Sequence, residues 1–241
     1  MNERTEQGRK EELGRQFFED IANGNSREDL IETMHRFRSL MMLYDGGIRE
    51  VRTKIEILNE EFKVKSSHNP IENIQSRVKE PLSIYEKMLR KGVPITLESM
   101  KKSLDDIAGL RIICAFIDDI YTVSDMLLKQ DDIRLISIKD YIHNPKENGY
   151  RSLHLVVEVP VFLSDRKQPV RVEVQIRTIA MDFWASLEHQ IHYKQFDGTE
   201  TEVIQELKTC ADTIFATDIE MQNIQKKLAG MKQNEMKHDE V

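Results

Sequence analysis

Residues 171–178 read RVEVQIRT and run straight into IAMDFWASLEHQIHY over 179–193. In the first segment every second residue is aliphatic, so Val172, Val174 and Ile176 fall on one face of a strand and Arg171, Glu173, Gln175 and Arg177 on the other. The second segment switches to a helical texture, which places a strand-to-helix junction near Thr178. For this stretch alone, a solvent-facing antiparallel strand is the simpler reading of so charged a face. The other reading is the floor of a polar site, and the neighbouring segments decide between them.

Working outward, further strand-like runs occupy 110–116, 133–138 and 153–163, with amphipathic helices expected over 118–129, 178–193 and about 200–230. Upstream, Pro81 suits the first turn of a helix stopped by Gly92, and Thr96 caps a short helix ending near Leu104. Leu40, Tyr44, Ile48, Val51, Ile55, Leu58 and Phe62 recur every three or four residues. That phase continues across Gly46-Gly47, where a turn would reset it, so a helix running through both glycines is expected, despite about 1 kcal/mol per glycine. Ser26 is its N-cap, with Asp29 in the first turn. The fold class is α/β or α+β, a mixed sheet flanked by helices with helical extensions at both ends. The expected organisation is a mobile polar arm over 1–25, with room for a short helix around Phe17 and Phe18 before the breaker Asn23-Gly24-Asn25. A helical segment over 26–67, a catalytic domain over 68–197 and a C-terminal helix with a frayed tail over 198–241 follow.

The 241 residues are 39% hydrophobic and 32% charged, which fits one sizeable core under a highly charged surface. No apolar run is long enough to cross a bilayer and the N-terminus does not read as an export signal, so a cytoplasmic protein is expected. Cys114 and Cys210 stand in unrelated contexts and make neither a disulfide framework nor a zinc site. Lys and Arg number 35 against 42 Asp and Glu, a formal charge of −7. Such a surface repels long nucleic acid unless its positive charge is gathered in one place.

It is gathered between residues 77 and 91, where Arg77, Lys79, Lys87, Arg90 and Lys91 face only Glu80 and Glu86, five minus two, or +3. On a helix beginning at Pro81, Ser83, Lys87, Arg90 and Lys91 share a face, with Leu82, Tyr85 and Leu89 opposite. That face suits a triphosphate; a merely solvated face is the plainer alternative. Arg111, inside the apolar run LRIIC, would be costly to bury without a partner and so should line a pocket, with Asp105 and Asp106 just ahead of it. Tyr150, Ser152 and His154 alternate out of the NGYRSLH loop, an arrangement able to stack on a base and bond its sugar or phosphates. Phosphate-loop, dinucleotide-fingerprint, nucleophile-elbow and HExxH motifs are lacking, and His189 and His192, three apart, read as a polar helix face. A nucleotide enzyme without a phosphate loop must hold its phosphates with side chains.

Taken together, SRVK (76–79), DIAGLRI (106–112), NGYRSLH (148–154) and EVQIRTIAMDFWASLEH (173–189), in this order, closely resemble the synthetase domain of the RelA/SpoT-type alarmone enzymes. The chain resembles a stand-alone small alarmone synthetase of nucleotidyltransferase-like fold. The resemblance implies a GTP diphosphokinase that moves the pyrophosphate of ATP to the 3′-hydroxyl of GTP or GDP with Mg2+, in the stringent response. It implies that Arg77 and Arg111 sandwich the adenine, that Lys79, Ser83, Lys87 and Arg90 hold the ATP phosphates, and that Asp106 and Glu173 bind the metal and act in catalysis. Tyr150 would stack on the acceptor guanine, with Lys146 and His154 near its phosphates and Gln175 near its ribose. It further implies a homotetramer, for which the stripe Val203, Leu207, Ala211, Ile214, Met221, Ile224 and Leu228 is the candidate surface. Membranes and DNA are not expected partners. The larger relatives' hydrolase has no counterpart beyond His238-Asp239, so synthesis without hydrolysis is expected, and Asp182 stands where some small synthetases have asparagine. Two alternatives stay open at this stage: a toxin of the same fold that modifies the 3′ end of tRNA, and an inactive nucleotide or RNA sensor.

Overall fold

The computed structural model describes residues 3–22, 26–65, 68–194 and 200–238. The breaker Asn23-Gly24-Asn25, the 197/198 boundary and Asp239 lie outside them, as do the side chains of His192 and His238. In chain order the elements are α1 (Glu3–Ala22), α2 (Arg27–Lys65), β1 (Ile71–Val78), α3 (Pro81–Lys91), α4 (Leu97–Ser103), β2 (Ala108–Cys114), α5 (Ile117–Leu128), β3 (Arg134–Asp140), β4 (Leu153–Phe162), β5 (Lys167–Thr178), α6 (Ile179–Lys194) and α7 (Glu200–His238). The five strands form one mixed sheet in the order β1-β2-β5-β4-β3. β2 and β5 run parallel, and the other neighbours are antiparallel. RVEVQIRT is therefore the middle strand, with Val172, Val174 and Ile176 fully buried beneath its polar face.

Helix α2 lies across that apolar face and is continuous through Gly46-Gly47, as the phase predicts. Packing supplies the reason. A Cβ on Gly47 would stand 2.7 Å from Val170 Cγ1, and one on Gly46 would stand 3.1 Å from Val161 Cγ1. The glycines let helix and sheet approach closely, which offsets their low helix propensity. Ser26 caps α2 as expected, its Oγ accepting from the Asp29 amide at 3.1 Å. Thr96 caps α4, and Gly92 ends α3 at φ 62°.

Three expectations are corrected. The short helix expected around Phe17 and Phe18 is instead the 20-residue helix α1, whose Phe17 is fully buried against Phe37 and Tyr85. Burying that ring contributes about 3 kcal/mol. The buried face of α3 is Ile84, Tyr85 and Met88, while Leu89 is exposed. The stripe on α7 divides: Leu207, Ala211 and Ile214 pack against Trp184 and Ala185 of α6, and Met221, Ile224 and Leu228 stay exposed. Helical geometry in α7 also continues beyond residue 230 to His238.

Candidate active site

Strand register decides which side chains meet. Gln75, Arg111, Gln175 and His154 are direct neighbours across β1, β2, β5 and β4. One step along, Arg77 of β1 and Glu173 of β5 lie on either side of Gly109. Glycine puts no side chain between them, and the gap is a cleft of about 210 Å³ lined by Arg77, Asp106, Gly109, Arg111, Glu173 and Gln175, among others. The cleft lies on the polar face of β5, so the charged face of RVEVQIRT is the floor of a site rather than a solvent-facing surface.

Asp106, just ahead of β2, anchors the cationic side. The ammonium groups of Lys79 and Lys87 both donate to its Oδ2. Burial pushes this carboxyl up, but the two lysines outweigh burial and hold it below the usual carboxylate range. Burial also draws Lys79 down, with Asp106 opposing. Lys87 thus projects from α3 toward β2, while Ser83 and Arg90 sit exposed on the same helix. Lys91 points elsewhere, bonding the Ser103 carbonyl at 2.6 Å.

On the other side of Glu173 a closed polar ring forms. Arg177 Nη2 donates to Tyr150 Oη at 2.9 Å and to Gln175 Oε1 at 2.8 Å. Gln175 Nε2 donates to Glu173 Oε2 at 2.9 Å, Glu173 Oε1 lies 3.4 Å from His154 Nδ1, and His154 Nε2 lies 2.8 Å from Tyr150 Oη. Burial raises the Glu173 pKa, but His154 and Gln175 more than reverse this, so the carboxyl is ionised at neutral pH. An anionic Glu173 accepts from His154 through the Nδ1 proton. The Lys146 ammonium lies 4.7 Å from the Tyr150 ring centre, within cation–π range. Ser152 departs from the alternating pattern: fully buried, it donates to the Ile176 carbonyl at 3.1 Å and fastens the loop to β5.

Five of the anticipated residues, Arg77, Asp106, Arg111, Glu173 and Gln175, line one cleft. Lys79 and Lys87 join it through Asp106, and Tyr150 and His154 through the ring. Lys146 reaches it only by way of Tyr150, and Ser83 and Arg90 do not line it. Arg177 was absent from the anticipated set. It is 2% exposed, closes the ring, and also bonds Asp182 at 3.3 Å, which lies 3.5 Å from Arg111. The readable signal was an arginine on the polar face of a strand that ends inside the protein.

A divalent metal is compatible with the cleft. Asp106 Oδ1 is buried with no hydrogen-bond partner, an available hard oxygen, and the anionic Glu173 lines the same space. Two carboxylates suffice for a hard cation that draws its remaining ligands from water and phosphate oxygens.

With this geometry in place, comparison with known proteins is direct. The family profile described as "Region found in RelA / SpoT proteins" matches residues 76–197, and the chain belongs to that family. It is 45% identical over 201 residues to GTP pyrophosphokinase YwaC of Bacillus subtilis (strain 168), covering 83% of this chain and 96% of that protein. It is similar to the crystal structure of small alarmone synthetase 1 from Bacillus subtilis bound to its product pppGpp, with TM-score 0.73 and 36% identity, covering 80% of this chain and 97% of that one. It is also similar to that synthetase bound to AMPCPP, with TM-score 0.67 and 32% identity, covering 80% of this chain and 99% of that one.

Proposed function

We propose that this chain is a GTP pyrophosphokinase that transfers the pyrophosphate of ATP to the 3′-hydroxyl of GTP or GDP, releasing AMP, with magnesium held by Asp106 and Glu173. The observation that carries the reading is the placement of those two carboxylates in one cleft, between an arginine and lysine side and a tyrosine and histidine side. On the first side, the guanidinium planes of Arg77 and Arg111 take the adenine, and Lys79, Ser83, Lys87 and Arg90 the phosphates. On the second, Tyr150 takes the guanine, Gln175 the ribose, and Lys146 and His154 the acceptor phosphates.

The acceptor 3′-oxygen bonds to the β-phosphorus of ATP, the bond from β-phosphorus to the oxygen bridging the α-phosphorus breaks, and AMP leaves with that electron pair. Positioning and charge supply most of the acceleration in such a transfer. A bound magnesium ion would neutralise charge developing on the phosphate oxygens. Glu173 orients the 3′-hydroxyl and takes its proton late in the reaction, because a carboxyl with a depressed pKa is a weak base but a good acceptor. Lys79 and Lys87, now sharing one Asp106 oxygen, are placed to turn to an incoming triphosphate.

The test is incubation of purified protein with γ-labelled ATP and magnesium together with GTP, GDP or tRNA separately. Label in a guanosine nucleotide is the expected result; label in tRNA, or in none of the three, refutes the reading. The exposed Met221, Ile224 and Leu228 of α7 are the surface proposed for assembly into a homotetramer. A monomer mass by light scattering at micromolar concentration would refute that assembly. No helix among the described residues is long and apolar enough to cross a membrane.

A further inference from the structure

A second and larger cavity, of about 670 Å³, lies between α2, α4 and the β4–β5 turn, away from the nucleotide cleft. Its size falls within the range of small-molecule sites. Leu40, Leu43, Leu97 and Val170 give it aliphatic walls, while Arg36, Lys101, Lys102, Arg166 and Arg171 outnumber the three carboxylates of its lining, for a net +2 with histidine neutral. A positive concavity on a chain of charge −7 is a local departure from the surface as a whole. Arg36 is paired with Glu98 at 3.0 Å and Arg166 with Asp165 at 2.9 Å. Lys101 and Lys102 are exposed and make no ion pair among the described residues. We propose that this groove binds a nucleoside diphosphate or triphosphate, its base against the aliphatic wall and its phosphates on Lys101 and Lys102, and that occupancy acts on the active site through Arg171.

The connection is short. Arg171 Nη1 donates to Asp105 Oδ1 at 2.8 Å, and Asp105 is the residue immediately before Asp106. Arg171 also stands two residues ahead of Glu173 on the polar face of β5. Phosphates drawing Arg171 into the groove release Asp105 and loosen the turn that aims Asp106. The mixed charge of the rim does not suit a second copy of the chain. The exposed apolar residues Phe183, Leu187, Met221 and Leu228 lie on α6 and α7 instead. The effect on rate rests on the reading of Asp106 as an active-site carboxylate; binding does not.

The test uses ADP, which lacks the pyrophosphate that ATP donates, with the full chain as wild type, K101A/K102A and K87A. Equilibrium dialysis should show K101A/K102A binding one ADP fewer per chain than wild type, and hydrogen exchange should show ADP protecting residues 97–103 and 163–171 in wild type and K87A only. Without ADP, K101A/K102A should make product at the wild-type rate within about twofold, which separates this proposal from any failure of the proposed function. With ADP, wild type should lose about fivefold in kcat, a loss that saturating ATP does not restore and that K101A/K102A does not show. Equal ADP stoichiometry in wild type and K101A/K102A overturns the site, and so does protection confined to the nucleotide cleft. A changed sedimentation mass in K101A/K102A overturns it in favour of a second copy. ADP bound in the groove with kcat unchanged overturns the route through Arg171.

Discussion

Replacing Arg177 with methionine removes a charged group that is 2% exposed while keeping much of its volume. Three bonds go with it: to Tyr150 Oη at 2.9 Å, Gln175 Oε1 at 2.8 Å and Asp182 Oδ1 at 3.3 Å. A bond to a charged group is worth about 1.5–3 kcal/mol, and breaking a buried pair costs about 3–5 kcal/mol. The loss should lie near the lower end, because Asp182 is 22% exposed and keeps Arg111 at 3.5 Å, and because burial already disfavours the charge on Arg177. A net cost of about 3 kcal/mol corresponds to a melting-point drop of about 10 °C for a chain of this size. The ring joins Tyr150, His154, Glu173 and Gln175, all on the proposed acceptor side, so the KM for GDP should rise about tenfold while the KM for ATP stays within about twofold. Steady-state synthesis, varying GDP at saturating ATP and then the reverse, reads both constants, and thermal denaturation reads the stability. R177K should fall between, since one ammonium cannot reach all three acceptors in the fork geometry of a guanidinium. An ATP KM that rises as much as the GDP KM would refute the assignment of Arg177 to the acceptor side, and an unchanged melting point would refute the energetic argument.

E173Q should fold normally by circular dichroism and lose about 10²–10⁴ in kcat, the range of a positioned proton acceptor; near-normal turnover at saturating magnesium would remove Glu173 from the mechanism. G149A should destabilise by about 3 kcal/mol in urea titration, since Gly149 has φ 89° and an added Cβ would stand 2.5 Å from Ala211 Cβ, and an unchanged midpoint would mean that α7 yields easily. F17A should cost about 3–5 kcal/mol as a cavity in the core and raise the KM for ATP, because Phe17 packs on Tyr85 of α3; loss of stability with that KM unchanged would show that α1 does not brace the phosphate-binding helix. Asp140 has its pKa raised by burial but lowered overall by the His143 amide and ring, the Ile142 amide and Tyr121. Its contribution is therefore fully present above the ordinary carboxylate pKa, about 4, and lost as pH falls through its lower folded value. D140N should flatten the fall in stability below about pH 4 relative to wild type; identical acid limbs would exclude Asp140 as a contributor.

What the sequence disclosed follows from how each segment is buried. α2 was legible through two glycines because its apolar phase from Leu40 to Ile55 is kept by burial on both sides of them. β5 was legible because both of its faces have a consistent character, one aliphatic and one polar. β1 was not anticipated: it is an edge strand, exposed along most of its length, and IENIQSRV carries no alternation to read. α1 was read as an arm because its apolar residues are few and cluster near its end, and Phe17 has a role only once Phe37 and Tyr85 are brought to it. α3 carries two overlapping stripes that share Tyr85, and the choice between Leu82/Leu89 and Ile84/Met88 depends on Lys87 having to reach Asp106. The candidate site was legible where it coincides with family motifs. The Arg177 ring was not, since its closure depends on β4, β5 and the loop ahead of β4 coming together and not on any one of them.

The strand order explains why the two halves of the site face each other at all. In the chain, the cationic segment and β2 come first, the Tyr150 loop and β4 next, and β5 last; in space, β5 is inserted between β2 and β4. Had β4 paired with β2 directly, Tyr150 and His154 would abut Arg111 with no carboxylate between them. Insertion of β5 sets Glu173 opposite Gly109 and Gln175 opposite Arg111, and on its other edge Gln175 opposite His154. Asp106, just ahead of β2, reaches the same cleft from the cationic side. The parallel pairing of β2 with β5 thus places two anions on the line between a cationic wall and an aromatic one. A transfer that brings together two polyphosphates needs its charge-neutralising groups on that line. A substitution that slipped the β2–β5 register by one residue would turn the polar face of β5 to the wrong side, and should abolish synthesis more completely than loss of any single cation around it.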